Sequence, residues 1–481
     1  MTNERSNIKR QTLNAKQLPP IFMPQAYHFI AIGGAAMHNL ALALREQGHT
    51  ITGSDDEIYD PARTRLEQRG LLPAEMGWFP ERLHTGLDAV ILGMHARADN
   101  PELARAQELG LRVLSYPEFI FEQSRQKQRV VIAGSHGKTT ITSMILHVLK
   151  YHNRQFDYLV GAQVEGFDTM VKLTGDHDAS SAPVIIIEGD EYASSPLDRR
   201  PKFLHYQPHM ALISGIAWDH VNIYPTYEAY VDQFELLADQ MPKAGVLIFD
   251  ETDNLLDVIG EKERPDVQKV PYDAHPHVIR DGRTYLTTPG GQEVTLQVFG
   301  LHNMKNIAGA MAVCDRLGIS DDQFYEAIQT FAGAARRLET VVQTDTQLVF
   351  RDFAHAPSKV EATTEAVKAQ FPDKRLLACV ELHTFSSLNK SFLGEYEHAL
   401  DAADVAAVYY SEHTLAIKRL EPISPADIRS AFNKPGLHVF TETTDLQTFL
   451  QQNAPQADVI LMMSSGTFGG LNLKEVMSDE R

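Results

Sequence analysis

At 481 residues the chain exceeds what one ordinary hydrophobic core organises, and about three units are expected. Its 43% hydrophobic and 22% charged content describes a globular protein, and no apolar run approaches the roughly 20 residues of a membrane helix, which excludes a membrane-spanning role. A formal net charge of −19 disfavours nonspecific nucleic-acid binding and means that any anionic ligand needs local cations.

Residues 1–26 are polar, carry Arg5, Lys9, Arg10 and Lys16, and lack the apolar centre of a secretory signal, so a disordered extension is expected. The two cysteines, Cys314 and Cys379, sit in apolar runs that suit buried thiols in a reducing compartment, and a cytoplasmic location without disulfides is expected. From Tyr27, a strand at 28–32, the turn Gly33-Gly34, a helix at 36–47, a strand at 50–53 and the acidic turn Ser54-Asp55-Asp56-Glu57 predict a βαβ unit. A dinucleotide fingerprint would place glycine at 31, 33 and 36. The chain offers Ala31, Gly33 and Ala36, so NAD is not favoured. A strand at 89–92, a helix from Pro101 and a strand near Val113 carry the alternation to about Gln128, giving a first domain over 27–128.

A second domain is expected over 129–333. It opens with the apolar run 130–133, then Gly134-Ser135-His136-Gly137-Lys138-Thr139-Thr140, then a helical pattern over 141–150. Strand, glycine loop, lysine, hydroxyl and helix form a phosphate cradle. Free N–H groups at the helix start meet the phosphates, Lys138 reaches the outer ones, and the Thr139 hydroxyl suits Mg²⁺. The spacing is shorter than in the common nucleotide loop, with Ile132 where a further glycine would stand. The apolar run 184–187 ends in Glu188-Gly189-Asp190-Glu191, and the run 210–216 leads into Trp218-Asp219-His220. Acids at strand ends face ligands, so three strand ends converge on one ATP and Mg²⁺ site, with Thr139 and Glu191 as the expected metal ligands. His220 fits either a ligand or a structural hydrogen-bonding residue at this point.

Strand-like pieces at 284–288 and 294–299 precede Gly300-Leu301-His302-Asn303-Met304-Lys305-Asn306 and a helix to Leu317. The third domain, 334–481, begins with Ala334-Ala335-Arg336-Arg337-Leu338. A strand at 348–350, a turn at 352–357, a helix at 358–370, a strand at 376–380 and apolar runs at 405–409 and 459–463 predict another open α/β sheet. The chain has no G-x-S-x-G elbow and no H-E-x-x-H, so chemistry is expected from ATP, metal and positioning.

Taken in order, the 134–140 loop, Asp190-Glu191, Asp219-His220, His302-x-x-x-Asn306, Arg336-Arg337 and Asp352-Phe353-Ala354-His355-Ala356-Pro357 resemble the Mur ligases over residues 27–473. The resemblance implies a Rossmann-like N-terminal domain, a central P-loop ATPase domain and a Rossmann-like C-terminal domain, in an ATP-dependent, ADP-forming, amide-forming enzyme that uses Mg²⁺. It implies that Gly134, Ser135, His136, Gly137, Lys138, Thr139 and Thr140 hold the ATP phosphates, with Lys138 on the β and γ groups. By the same resemblance Thr139, Glu191 and His220 hold Mg²⁺, and His302 and Asn306 meet the base and ribose. Asp352 meets the ribose, and Arg337 and His355 lie near the phosphates.

The first domain resembles that of the members binding UDP-N-acetylmuramate. There Gly33, Gly34 and Ala35 would hold the diphosphate, with Ser54 and Asp55 near the uracil. Tyr59-x-Pro61, Asp198-Arg199-Arg200-x-Lys202-Phe203-x-His205-Tyr206 and Ser464-Ser465-Gly466-Thr467-Phe468-Gly469-Gly470 resemble the branch that joins L-alanyl-γ-D-glutamyl-meso-diaminopimelate to UDP-N-acetylmuramate. Gln207 stands where some relatives carry a carbamylated lysine, and His383-Thr384-Phe385-Ser386-Ser387 replaces an Arg-Ser-Asn-type segment. Addition of single L-alanine and a catalytically silent UDP-sugar sensor remain alternatives. The expected partners are UDP-N-acetylmuramate and a cell-wall peptide, not nucleic acid or membrane, and oligomeric state is left open.

Overall fold

A computed structural model describes residues 23–175, 181–218, 223–334 and 337–473. The expected N-terminal extension lies, up to residue 22, outside them. Three open sheets follow one another along the chain. The first is parallel throughout, in the order Thr50–Ser54, Ala26–Ile30, Ala89–Leu92, Val113–Ser115. The second has seven strands, in the order Gln268–Tyr272, Val246–Asp250, Met210–Ile213, Gln128–Ala133, Val184–Glu188, Asp157–Leu159, Val171–Lys172, and its last pairing alone is antiparallel. The third places Leu348–Asp352, Val459–Met463, Leu376–Leu382, Val405–Tyr410 and His438–Phe440 side by side in parallel, with Glu339–Gln343 antiparallel on its edge.

These pairings follow from composition. Val130, Val131, Ile132 and Ala133 are all fully buried, as expected for a central strand covered by helices on both faces, which needs an unbroken apolar run. The helices between strands start at readable signals. Asn100 caps Pro101–Glu108 through bonds from the Glu102 and Leu103 N–H groups, and Ser115 forms a capping box with Glu118 ahead of Tyr116–Gln123, a helix the sequence reading passed over.

The first strand ends two residues earlier than expected. Ala31 adopts φ +66°, and both Ala31 and Ile32 donate to the Ser54 carbonyl, so the turn begins before the glycines. The run 294–299 contributes only Glu293–Thr295, which closes a three-stranded antiparallel sheet with His277–Arg280 and Arg283–Thr287. That small sheet reaches the C-terminal domain. Thr284 Oγ1 donates to Gln370 Oε1 at 2.9 Å, and the Gln370 amide donates to the Gly282 carbonyl at 2.7 Å. Phe299 packs edge-on against Phe350 and Phe371, and Trp218 against Phe392, so apolar contacts also cross this boundary. No helix among the described residues is long and apolar enough to cross a membrane.

Candidate active site

The Gln128–Ala133 strand pairs in parallel with Met210–Ile213 on one side and Val184–Glu188 on the other, so the three carboxyl ends open together. At the first, the helix Lys138–Tyr151 begins three residues before the predicted position. It has no side-chain cap and no acid in its first turn. Its leading N–H groups therefore keep the partial positive charge that binds anions. Gly137 sits at φ +76°, and a Cβ there would collide with Asn306 Oδ1, so the loop needs glycine twice over.

Lys138 Nζ donates to the Gly134 carbonyl at 2.6 Å and pairs with Glu191 Oε2 at 2.7 Å. Burial works against its charge, but Glu191, with Asp190 and Glu188 behind it, outweighs burial and holds the ammonium above its ordinary pKa. Thr139 Oγ1 donates to Glu188 Oε1 at 2.8 Å, while Glu188 Oε2 accepts from the Gly161 N–H at 2.8 Å. Thr139 and Glu191 are the metal ligands the sequence suggests; Glu188 stands beside the Thr139 hydroxyl and Glu191 on the lysine. Glu188 stands in register with Ile132, at the mouth of the glycine loop.

Ser135 is buried, its Oγ accepting from the Ala217 N–H at 2.8 Å and lying 3.0 Å from Tyr230 Oη. The His136 imidazole packs on Gly215, and its carbonyl accepts from Ser214 Oγ. Desolvation in the cleft, reinforced by Lys359 and Lys138, pushes its pKa down to about 4, so the ring is neutral near pH 7. Gly134 and Thr140 complete the turn, Gly134 at φ +124° where a side chain would meet Ser214.

Across the cleft, His302 and Asn306 lie one turn apart on the helix Leu301–Arg316. His302 Nδ1 is buried without a hydrogen-bond partner among the described residues, and burial lowers its pKa against the opposing charge of Asp352. An enclosed ring nitrogen without a protein partner is free to meet a ligand atom that enters the cavity. Asp352 ends the Leu348–Asp352 strand, where its carboxylate accepts from the Leu338 N–H at 2.7 Å and the Ala354 N–H at 2.6 Å. Arg337 lies over the Phe353 ring at 4.7 Å, and His355 Nδ1 is 2.8 Å from the Phe353 carbonyl.

Gly134's neighbours Ser135 to Thr140, together with Glu188, Glu191, His302, Asn306, Arg337, Asp352 and His355, line one cavity of about 970 Å³. Gly34 and Ala35 of the first domain reach it as well, so all three units contribute walls. Gly33, Ser54 and Asp55 lie outside it. Ser54 is fully enclosed, and the Asp55 carboxylate accepts from the Gly33 N–H at 2.7 Å. Burial, with Asp56 alongside, pushes the Asp55 pKa up to about 6. Asp219, His220 and Arg336 lie outside the described residues.

Tyr116, Lys202, Thr384 and Ser465 also face the cavity; Lys202, Thr384 and Ser465 belong to the segments the sequence ties to the substrate, while Tyr116 carries no such signal. Lys202 pairs with Asp190 at 2.5 Å, so the basic 199–202 segment is partly a structural tie. Thr384 and Ser465 sit at neighbouring strand ends of the third sheet, where Glu381 accepts from the Phe468 N–H at 2.7 Å and from Ser464 Oγ. The arrangement can bind a polyanion at the lysine and glycine turn, seat an aromatic base near His302, and hold oxygen ligands for a hard cation at Thr139 and Glu188.

Known proteins share this plan. Residues 26–128 match the Mur ligase family catalytic domain, 132–314 the Mur ligase middle domain and 336–466 the glutamate ligase domain of Mur ligases. The chain is 31% identical over 456 residues to a UDP-N-acetylmuramate–L-alanine ligase of Salinibacter ruber, covering 91% of this chain and 92% of that one. It is 28% identical to the UDP-N-acetylmuramate–L-alanyl-γ-D-glutamyl-meso-2,6-diaminoheptandioate ligase of Escherichia coli, covering 93% and 96%. The crystal structure of a murein peptide ligase from Psychrobacter arcticus superposes with a TM-score of 0.62 at 26% identity, covering 95% and 99%. With three domain matches in order and relatives aligned over nearly its whole length, the chain belongs to the Mur ligase family, whose members are ATP-dependent, ADP-forming amide ligases.

Proposed function

We propose that the protein joins a recycled cell-wall tripeptide, L-alanyl-γ-D-glutamyl-meso-diaminopimelate, to UDP-N-acetylmuramate in the cytoplasm. The observation that carries the ligase reading is the single cavity where Lys138, Thr139, His302, Asp352 and His355 face one another from different domains. The peptide reading is supported by the 198–206 segment and the Ser464 to Gly470 segment, whose Lys202, Tyr206 and Ser465 reach the same cavity. Units bounded near 128/129 and 333/334 would each bring one reactant: the UDP-sugar, ATP and the peptide.

In this reading the muramate carboxylate attacks the γ-phosphorus of ATP, giving an acyl phosphate and ADP. The peptide amine then attacks the acyl carbon, and phosphate leaves from the tetrahedral intermediate. Lys138, whose ammonium Glu191 keeps charged until ATP arrives, exchanges that acid for the β and γ oxygens. Gly33, Gly34 and Ala35 hold the diphosphate, and Ser54 and Asp55 shape the uracil end. His302 and Asn306 take the base, Asp352 the ribose, and Arg337 and His355 lie by the phosphates. Mg²⁺ fits the oxygen set of Thr139 and Glu188, with Glu191 and His220 as the further ligands the resemblance implies, and when bound it neutralises phosphate charge.

L-alanine addition is the second reading, favoured by the Salinibacter relative. ADP release with Mg²⁺-ATP and UDP-N-acetylmuramate decides among L-alanine, the meso-diaminopimelate tripeptide and the L-lysine tripeptide. Tripeptide-dependent release is expected. Release with L-alanine alone selects the second reading, and release with none selects the silent sensor.

A further inference from the structure

Lys359 lies in the first turn of the helix Pro357–Gln370, a turn with no acidic residue. Helix N-termini carry partial positive charge, so a cation there is locally unfavourable. Departures from local rules concentrate at functional sites. The helix turns Ser358, Lys359, Ala362 and Thr363 toward the cavity, a spacing of one helical face, and the small Ala362 and Thr363 leave space beside the lysine.

One to two turns further on, the same face of the helix is fixed to the nucleotide domain. A Cβ on Gly300 would come within 2.5 Å of Ala366 Cβ, and Gln370 is tied to Thr284 and Gly282. The glycine turn, with His136, Lys138 and Thr139, lines the same cavity. Lys359 and Lys138 line this cavity together with His136, and after desolvation both lysines hold the imidazole pKa down. A chain of net charge −19 thus brings Lys138, Lys359 and Arg337 to the walls of one cleft. A polyanion is the ligand such a grouping fits.

We infer that Lys359 is a catalytic cation supplied by the C-terminal domain, contacting the γ-phosphoryl group as it passes from ATP to the acceptor carboxylate. The inference rests on the ligase reading above. In the step, a bond forms between the carboxylate oxygen and the γ-phosphorus, the bond from that phosphorus to the β–γ bridging oxygen breaks, and ADP keeps the electron pair. Lys359 retains its proton and steadies the charge on the equatorial oxygens. Because it comes from another domain than Lys138, it also makes phosphoryl transfer depend on how the C-terminal domain is docked.

The test compares wild type with Lys359→Met and Lys359→Arg in the full chain. The readouts are ADP release and calorimetric affinities for Mg²⁺-ADP and Mg²⁺-β,γ-methylene-ATP. Lys359→Met is expected to lower kcat by about 10²-fold and to weaken methylene-ATP binding by about tenfold while ADP binding is unchanged, with part of kcat restored by arginine. A kcat within about threefold of wild type, or equal loss of ADP and methylene-ATP affinity, overturns the inference, the latter by showing a structural role. If Lys359→Met does not fold, Lys359→Gln is read by the same criteria. Wild type that releases no ADP with any acceptor overturns the ligase reading and this inference with it.

Discussion

The chain makes two glycine turns of the same strand-turn-helix architecture and gives them opposite internal charge. At Gly33-Gly34 a carboxylate from the next strand end, Asp55, already sits on the Gly33 N–H. At Gly134 to Thr140 the internal group is a cation, Lys138, restrained by Glu191. A backbone turn that presents N–H groups is only an anion site in outline. The side chain folded into it decides whether a phosphate is drawn in or must compete with a resident acid.

Lys138→Ala breaks this contrast most severely. Turnover is expected to fall by about 10³-fold or more, with UDP-N-acetylmuramate affinity, measured by calorimetry, largely intact. Normal turnover would show that the second turn is not the phosphate cradle. Next in size, Glu188→Gln is expected to lower kcat by about 10²-fold and to raise the Mg²⁺ concentration for half-maximal rate. If Glu191→Gln moves that concentration and Glu188→Gln does not, the metal pairing returns to the one the sequence suggested.

The two turns also differ in what they tolerate. Gly137→Ala forces a side chain into Asn306 at φ +76° and is expected to cost about 2 kcal/mol of stability in urea unfolding. Gly34→Ala, at φ −57° with the nearest atom 3.6 Å away, is expected to be near neutral in the same assay. Equal losses at both positions would mean that backbone conformation does not distinguish the turns.

The smallest effect concerns Asp55. Its folded pKa of about 6 exceeds the ordinary carboxyl value, so the folded state binds more protons than the unfolded chain between about pH 4 and 6. The stability this group contributes is present below the ordinary value and is lost as pH rises through about 6. Asp55→Asn should flatten that part of the Tm-against-pH curve, and an unchanged slope would place the titrating group elsewhere.

Much of this contrast was legible in the residues. The glycine, lysine and threonine of the second turn are contiguous, and an apolar run before them with a helical pattern after them leaves few alternatives. Boundaries were less so. Ala31 enters the left-handed region because its N–H and that of Ile32 both turn to Ser54, a contact made across more than 20 residues. Ser54 and Asp55, which the resemblance places near the uracil, show what the sequence does not: Ser54 is enclosed and the Asp55 carboxylate accepts from the Gly33 N–H.

What the sequence by itself determined is the kind of each element and the chemistry of the phosphate turn, because both depend on interactions within a few residues: apolar periodicity, a glycine's φ, a lysine beside free N–H groups. Only the tertiary structure decided which acid meets Thr139 and that Lys359 lines the same cavity as Lys138. Those choices depend on strand register within a parallel sheet and on a helix held across a domain boundary by Gln370 and Gly300, and no local pattern encodes contacts between partners 49 to 88 residues apart.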